Sequence, residues 1–318
     1  MRTDRARVVY FRGRFMPGEE ATIHVGTHGL HYGTGCFEGI RGYWDPEREE
    51  LYLVKLKEHY QRFHRSARIV KIRLPLSVEQ LCETTVELVR RNGWREDIYV
   101  RPIAFKATTT IGLGLRHLED ELAILCFPLG SYVDRSRGLH CAVSSWVRLN
   151  DNALPPRGKI TGAYINACLA SDEARTNGFD EAIMLTPEGH VSEAASSNLF
   201  IVRDGVLITP PASDAILEGI TRAAVMEIAR DEGIPVVERH VDRTELYVAD
   251  EVFLTGTAVE VAPVTQIDHR PVGNGEPGPI TQRIREIYMR AVRGQEPRYT
   301  HWLTPVYQGA RVETAPKA

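Results

Sequence analysis

Lysine is scarce in this sequence of 318 residues. Of its 39 basic residues, six are lysine and 33 are arginine. Because a guanidinium cannot do chemistry that requires a primary amine, each lysine is a candidate for a special task. The six are Lys55, Lys57, Lys71, Lys106, Lys159 and Lys317.

The sequence also lacks an excess of one charge and any long apolar run. Its 39 basic residues stand against 42 acidic ones, so it carries no electrostatic footprint for nucleic acid. The longest apolar run, Leu122 to Leu129, is far shorter than the roughly 20 residues that a membrane-spanning helix needs. The residues after Met1 show no secretory signal. We therefore expect neither a nucleic acid nor a membrane as a partner.

Cysteine is sparse, and generic motifs are missing. No two cysteines form a CxxC pair, so we expect reduced side chains and a cytoplasmic location. His24, His28 and His31 lie in a glycine-containing loop without accompanying cysteines or carboxylate pairs, and we expect no metal there. Neither a complete dinucleotide fingerprint nor a P-loop nor a GxSxG elbow occurs. The five cysteines are Cys36, Cys82, Cys126, Cys141 and Cys168.

The order of predicted elements favours an α+β fold in two domains. With 43% hydrophobic and 25% charged residues, the composition is that of an ordinary globular protein. Strands joined by short turns alternate with grouped helices. A polar, irregular stretch at 131–138 predicts a connector between a small N-terminal domain, 1–130, and a larger C-terminal domain, 139–318.

Two local patterns in the N-terminal half are specific. Ser77 and Gln80 predict a capping box at the start of a helix. The strand predicted from Ile98 to Phe105 has a period of two, which places Tyr99 and Arg101 on the same face. A shared face would allow these two side chains to line one pocket.

Lys159 differs from the other lysines in its surroundings. It lies in the neutral, turn-rich segment PPRGKITGAY, 155–164, with a glycine on each side and Tyr164 five residues further on. Surface lysines usually lie on helices among other charges, so this segment favours a buried, functional amine. On local features alone, an ordinary surface lysine remains the alternative.

Six segments, in order along nearly the whole chain, carry a family resemblance. They read HYGTGCFEGIR at 31–41, QRFHRSA at 61–67, the Lys159 segment, VSEAASSNLF at 191–200, LEGITR at 217–222, and DEVF through GTAVE at 250–260. Together they resemble the fold-type IV pyridoxal-phosphate aminotransferases, most closely the branched-chain amino acid aminotransferases. The resemblance implies a D-amino acid aminotransferase-like fold, with a small N-terminal α/β lobe and a larger C-terminal lobe built on a β-barrel-like core.

The resemblance implies pyridoxal 5′-phosphate as the cofactor. Lys159 would form a Schiff base with it and then shuttle a proton, and Glu193 would keep the ring nitrogen protonated. The alternative for Glu193 is an ordinary exposed glutamate in a turn. A helix opening at 219–221 would offer free N–H groups to the phosphate. The implied cofactor contacts are Arg62, Gly219, Ile220, Thr221 and Thr257 at the phosphate, Tyr164 at the phenolic oxygen, and Leu217.

The substrates implied are L-leucine, L-isoleucine or L-valine with 2-oxoglutarate. Tyr99 and the turn at 257–258 would meet the α-carboxylate, and Arg101 would pair with the distal carboxylate of glutamate. The other implied substrate contacts are Phe37, Gly39, Arg41, Tyr132, Thr257 and Ala258. Tyr32 would come from a neighbouring subunit, because the family's active site lies at a dimer interface; a homodimer or a hexamer is implied.

Two departures from the family pattern keep other substrates open. Val259 occupies a position where a second alanine is expected, and the loop 107–115 is longer than the usual form. A D-amino acid or (R)-amine aminotransferase, or an aminodeoxychorismate lyase, is the alternative within the same fold. A non-catalytic binder that has kept the fold is a third hypothesis.

Overall fold

A computed structural model of the chain describes residues 6–130 and 137–308. Within these residues the α-helices are α1 His28–Tyr32, α2 Leu56–Ile69, α3 Val78–Asn92, α4 Tyr164–Thr176, α5 Ile220–Asp231 and α6 Pro279–Val292. The strands are β1 Val8–Phe11, β2 Arg14–Pro17, β3 Gly35–Phe37, β4 Ile40–Asp45, β5 Glu50–Val54, β6 Ile98–Lys106, β7 Asp120–Pro128, β8 Leu139–Val143, β9 Glu181–Leu185, β10 Val191–Ala194, β11 Asn198–Arg203, β12 Val206–Thr209, β13 Val236–Glu238, β14 Glu251–Gly256, β15 Glu260–Ile267, β16 Arg270–Pro271 and β17 Leu303–Pro305.

These elements form two compact units. Unit 1 contains residues 6–130, 160–162 and 290–308, and unit 2 contains residues 137–159 and 163–289. Each unit has its own sheet, its own helices and its own buried apolar core. The α+β class predicted from the sequence is confirmed.

Unit 1 is built on an eight-stranded sheet in the order β17-β5-β4-β6-β7-β1-β2, with β3 also paired to β6. All of its pairings are antiparallel. Helices α2 and α3 pack on each other, and their apolar faces join the core, which includes Phe63, Leu81, Leu88, Val100 and Ile124. The predicted capping box of α3 is confirmed, because Ser77 Oγ accepts from Gln80 N and Gln80 Oε1 accepts from Ser77 N.

Unit 2 is built on a nine-stranded sheet in the order β10-β9-β8-β15-β14-β11-β12-β13, with β16 beside β15. The β8–β9, β8–β15 and β12–β13 pairs are parallel and the others are antiparallel. Helix α4 packs against β9 and helix α5 against β14. The candidate Glu193 lies in β10, at one end of this strand order, and Thr257 lies in the loop between β14 and β15.

The C-terminal residues return to unit 1. The sequence predicts a C-terminal domain that continues to residue 318, whereas β17 pairs with β5 of unit 1. Buried Glu50 reinforces this pairing, since its carboxylate accepts hydrogen bonds from the backbone N–H groups of Val306, Tyr307 and Gln308. Nothing in the local sequence of 303–308 signals this long-range pairing.

The predicted histidine loop contains a short helix, α1. His28 Nδ1 contacts Thr34 Oγ1 and His28 Nε2 contacts the Gly112 carbonyl, both at 2.8 Å, while His31 Nε2 contacts the Val25 carbonyl. Across residues 6–130 and 137–308 no group of three or more potential ligands is arranged to hold a metal ion. In the same residues, every helix is too short or too polar to cross a membrane.

Glu251 connects the start of β14 to the start of α6. Its Oε1 accepts from Ile280 N at 3.0 Å, and its Oε2 accepts from Thr281 N at 2.7 Å and Thr281 Oγ1 at 2.6 Å. A Cβ on Gly278 would collide with the Glu251 side chain, so glycine is required there. This buried carboxylate thus satisfies the first N–H groups of α6.

Replacing Glu251 with alanine is expected to lower the free energy of unfolding by about 2–3 kcal/mol, because the buried donors of α6 lose a charged acceptor. Urea unfolding followed by circular dichroism measures the change. Glu276→Ala is the matched control, since Glu276 is exposed, and it should change stability by less than about 0.5 kcal/mol. Equal midpoints for the two variants would contradict this account of α6.

Candidate active site

The candidate residues fall into two sets, one in each unit, and Tyr132 lies outside the described residues. Unit 2 holds Lys159, Tyr164, Glu193, Leu217, Gly219, Ile220, Thr221, Thr257 and Ala258. Unit 1 holds Tyr32, Phe37, Gly39, Arg41, Arg62, Tyr99 and Arg101.

Lys159 and Tyr164 come together as a pair. Lys159 is half-buried, and its Nζ donates a hydrogen bond of 2.6 Å to the hydroxyl of Tyr164, the first residue of α4. The five-residue spacing seen in the sequence is bridged by the short turn before α4. The amine is therefore held by a neutral partner rather than by a carboxylate in this contact.

Burial alone does not single out Lys159. Lys55 and Lys106 are more buried, but their amines lie beside carboxylates. Lys106 Nζ is 2.7 Å from Asp120 Oδ1, and Lys55 Nζ is 3.6 Å from Glu58 Oε1. These two lysines have structural ion pairs.

The glycine that follows Lys159 in the segment, Gly162, packs against the backbone of Gly33. A Cβ on Gly33 would lie 2.6 Å from Gly162 Cα, and Gly162 N donates to Gly33 O at 3.1 Å. Thr161 Oγ1 adds a bond to the same carbonyl at 2.7 Å. The segment directly after Lys159 is thus fixed by backbone contact with Gly33.

Glu193 is a buried strand residue and not an exposed turn glutamate, so that alternative is wrong. It lies in β10, and its Oε1 accepts from the Arg148 guanidinium. Its Oε2 accepts from Asn198 Nδ2 at 2.7 Å and from Leu217 N at 3.2 Å. Three donors therefore converge on this carboxylate, and such an arrangement suits a partner for a protonated ring nitrogen.

The start of α5 is the predicted anion site in unit 2. Gly219 is its N-cap in an extended conformation and makes no side-chain capping bond, so the first N–H groups rely on another acceptor. The half-buried Thr257 lies in the hairpin loop between β14 and β15, whose ends pair at Gly256 and Glu260. A phosphate fits the charge and donor pattern of a helix N-terminus.

Arg62 in α2 is buried and bound to Glu38. Its Nε donates to Glu38 Oε1 at 2.7 Å and its Nη2 donates to Glu38 Oε2 at 2.9 Å. His59 Nδ1 contacts Glu38 Oε2 at 2.8 Å. Complete burial opposes ionisation of Glu38, but Arg62 and His59 outweigh it and hold the pKa of this carboxyl well below its usual range. The predicted phosphate contact of Arg62 stays a prediction.

Tyr99 and Arg101 share one face of β6, as the sequence indicates. Arg101 Nη2 donates to the Tyr99 hydroxyl at 3.1 Å. The Arg101 guanidinium also lies 4.5 Å from the ring centroid of Phe37. A Cβ on Gly39 would collide with the Tyr99 hydroxyl, which explains the glycine at this position. Phe37, Gly39, Tyr99 and Arg101 therefore form one cluster in unit 1.

Arg41 is deeply buried in β4, next to Tyr99 in the adjacent strand. Its Nη1 and Nη2 atoms donate to the Gly130 carbonyl at 3.3 Å, and its guanidinium lies 5.2 Å from the Tyr43 ring centroid. The Asp97 carboxylate is 3.9 Å away. These contacts fix Gly130, which follows β7. The predicted substrate contact of Arg41 stays a prediction.

Tyr32 anchors the loop 107–115. Its hydroxyl accepts a hydrogen bond of 3.1 Å from Gly112 N, and Thr109 of the same loop forms a β-bridge with Thr27. The loop 107–115 is therefore attached to α1.

Four further side chains complete these clusters and are not among the residues predicted from the sequence. Glu38 and Asn198 lie inside the quoted motifs, Glu38 beside Gly39 and Asn198 in the 191–200 segment. Their places in these motifs could have identified them from the sequence. His59 and Arg148 have no local signal, because only the fold brings them to Glu38 and Glu193.

Comparison with known proteins decides the family. A family model described as "Amino-transferase class IV" matches residues 35–267, which is most of the chain. The chain belongs to the class IV aminotransferases.

Relatives of this class IV aminotransferase match over nearly their whole length. A protein of Aquifex aeolicus named "Probable branched-chain-amino-acid aminotransferase" is 48% identical, over 94% of this chain and 96% of the relative. The branched-chain aminotransferase of Thermoproteus uzoniensis, solved with norvaline, matches with a TM-score of 0.91 and 47% identity over 95% and 100% of the two chains. The Thermobaculum terrenum enzyme, solved in its PLP-form, has a TM-score of 0.91 and 41% identity over 95% and 99%.

Gly39→Ala is expected to displace the Tyr99 hydroxyl and with it the guanidinium of Arg101. The KM for the amino donor should rise about tenfold or more, while affinity for the cofactor stays within about twofold, because Glu193 and α5 belong to unit 2. Steady-state kinetics and cofactor titration measure the two quantities. Glu83→Ala, at an exposed position of α3 in unit 1, is the control and should leave both quantities unchanged. An unaltered KM in Gly39→Ala would refute the role of this cluster.

Proposed function

We propose that this protein transfers the amino group of L-leucine, L-isoleucine or L-valine to 2-oxoglutarate, using pyridoxal 5′-phosphate. The observation that carries the proposal is the Lys159–Tyr164 hydrogen bond. It lies in the same unit as the buried carboxylate of Glu193, which accepts three hydrogen bonds. The substrates named for the relatives point the same way.

The cofactor, when bound, supplies an electron sink that stabilises negative charge at the substrate Cα. In our proposal Glu193 keeps the ring nitrogen of the cofactor protonated, and Tyr164 donates a hydrogen bond to the phenolic oxygen. The N–H groups at Ile220 and Thr221, with the Thr257 hydroxyl and Arg62, bind the phosphate.

Lys159 is the proposed catalytic residue. Its Nζ takes the proton from the substrate Cα and then delivers it to the cofactor carbon that takes part in the amino transfer. This task needs a primary amine. The hydroxyl of Tyr164, 2.6 Å from this nitrogen, orients it. Since amino donor and acceptor use the same site in turn, the kinetics should be ping-pong.

The unit 1 cluster is the proposed substrate-recognition surface. The Arg101 guanidinium lies against the Phe37 ring and is bonded to Tyr99, so apolar and charged groups stand side by side. Such a surface accepts the side chain of leucine and also the distal carboxylate of glutamate. Arg41, Tyr132 and Ala258 remain proposed members of the pocket.

We propose a homo-oligomer in which Tyr32 reaches the site of a neighbouring subunit. Large apolar side chains stand exposed on α1, before it, and on the loop 107–115 that Tyr32 anchors; they are Val25, Leu30, Ile111 and Leu113. An exposed apolar group of this kind supports burial against a second copy of the chain.

We also propose a cytoplasmic location and the two-domain division at the 131–138 connector. The five cysteines are all unpaired, which suits a reducing compartment. The long N-terminal run of unit 1 ends at Gly130, which supports the position of the connector.

The proposed function is tested with purified protein loaded with pyridoxal phosphate. The wild type should be yellow and active on L-leucine with 2-oxoglutarate, and it should be inactive on D-alanine and (R)-arylamines. Lys159→Arg keeps the positive charge but lacks a primary amine, so it should lose the colour and lose activity by more than about a thousandfold.

Lys57→Arg is the matched control, since Lys57 is exposed, and it should retain full activity. Turnover of D-alanine without L-leucine would overturn the substrate assignment. A colourless wild type that gains no absorbance with added cofactor would overturn the cofactor assignment.

The oligomer is tested with the double variant Ile111→Asp/Leu113→Asp. Two carboxylates in an apolar interface should raise the dimer dissociation constant by more than about a hundredfold and reduce activity with it. Sedimentation velocity at several concentrations gives the constant. Val248→Asp, at an exposed apolar position of unit 2, should leave it unchanged. A double variant that remains fully dimeric would refute this interface.

A further inference from the structure

The loop that leads into α5 is held by side chains from two other parts of unit 2. Residues 215–218, directly before the N-cap Gly219, form this segment, which is called the 215–218 loop. Arg148 Nε donates to the Ala215 carbonyl at 3.3 Å, and Asn198 Nδ2 donates to the Leu217 carbonyl at 2.8 Å. Leu217 N in turn donates to Glu193 Oε2 at 3.2 Å. The loop therefore depends on the same groups that surround Glu193.

Asn198 occupies the centre of this network. It is buried at the first position of β11, where it pairs with Thr255 of β14. Its Nδ2 donates to Glu193 Oε2 at 2.7 Å as well as to the Leu217 carbonyl. One amide group thus uses both of its hydrogens, one on the carboxylate and one on the loop.

Gly219 lies in close contact with the side chain of Asn198. A Cβ at Gly219 would collide with Asn198 Oδ1, so the N-cap of α5 lies directly against this amide. Asn198 consequently touches the carboxylate proposed for the ring nitrogen, the 215–218 loop, and the first residue of the proposed phosphate site.

We propose that Asn198 is a positioning residue that couples the two ends of the cofactor site, so that the ring-nitrogen contact at Glu193 and the phosphate contact at the start of α5 strengthen each other. The inference rests on the proposed roles of Glu193 and α5. Buried hydrogen-bond networks are worth more than the sum of their separate bonds, and groups in one network are not additive. Removing the amide leaves the Leu217 carbonyl without this donor and releases Gly219, so the N–H groups of α5 lose their fixed direction.

The experiment compares pyridoxamine 5′-phosphate with pyridoxamine, two ligands that differ in the phosphate alone and need no covalent bond to Lys159. The dissociation constant of pyridoxamine divided by that of pyridoxamine 5′-phosphate, both measured by calorimetry on the cofactor-free full chain, reports what the phosphate contributes. Asn198→Ala should lower this ratio about tenfold. Glu193→Gln should also lower the ratio, but it should have no further effect when combined with Asn198→Ala.

Asn166→Ala is the matched control. Asn166 is likewise a buried asparagine of unit 2, and its Nδ2 donates to the Val147 carbonyl. This variant should keep the wild-type ratio. Gly219→Ala, which pushes against Asn198 from the other side, should lower the ratio as Asn198→Ala does.

The outcomes separate the inference from the proposed function. If Asn198→Ala weakens both ligands by the same factor, the residue is merely structural and the coupling is overturned. If the wild type itself shows no preference for the phosphate-bearing ligand, the phosphate site and the coupling are both overturned. Should Asn198→Ala fail to fold, Asn198→Ser, which keeps one small donor, is measured by the same criterion.

Discussion

Buried carboxylates, each satisfied by several donors, hold this molecule together. Removing an ionised carboxylate from water costs several kcal/mol unless hydrogen bonds and opposite charges replace the hydration. Here the replacement is made by elements distant in sequence. Glu38 binds α2, Glu50 binds the C-terminal residues, Glu193 binds the loop before α5, and Glu251 binds the start of α6. Each of these elements is thereby fixed in position by its hydrogen bonds to a buried carboxylate.

The four carboxylates differ in their donors, and two of them lie beside residues of the proposed cofactor site. Glu50 and Glu251 accept mainly backbone N–H groups and join a strand to a terminus or a helix. Glu38 and Glu193 instead bind the arginines Arg62 and Arg148, which fix the direction of a charged group at the proposed cofactor site. The site is thus assembled from the fold's ordinary means of satisfying buried charge.

The sequence was sufficient for the family, the α+β class and the local elements. The capping box at Ser77, the shared face of Tyr99 and Arg101, and the helix opening after Gly219 depend on neighbouring residues, and all three are confirmed. The contacts of Arg148 with Glu193 and of His59 with Glu38 were out of reach, because these pairs are far apart in sequence and meet only in the folded chain. The pairing of β17 with β5 was missed for the same reason.

The close backbone contact between Gly33 and Gly162 has a consequence for how this chain can be divided. Residues 160–162 belong to unit 1, although Lys159 and Tyr164 on either side belong to unit 2. A fragment consisting of the second half alone would keep Glu193 and α5 but would lack the residues that fix the turn between the amine and its phenol. The conformation of the turn that joins Lys159 to Tyr164 therefore depends on residues from both halves of the polypeptide, and the proposed catalytic amine cannot be transplanted with either half alone.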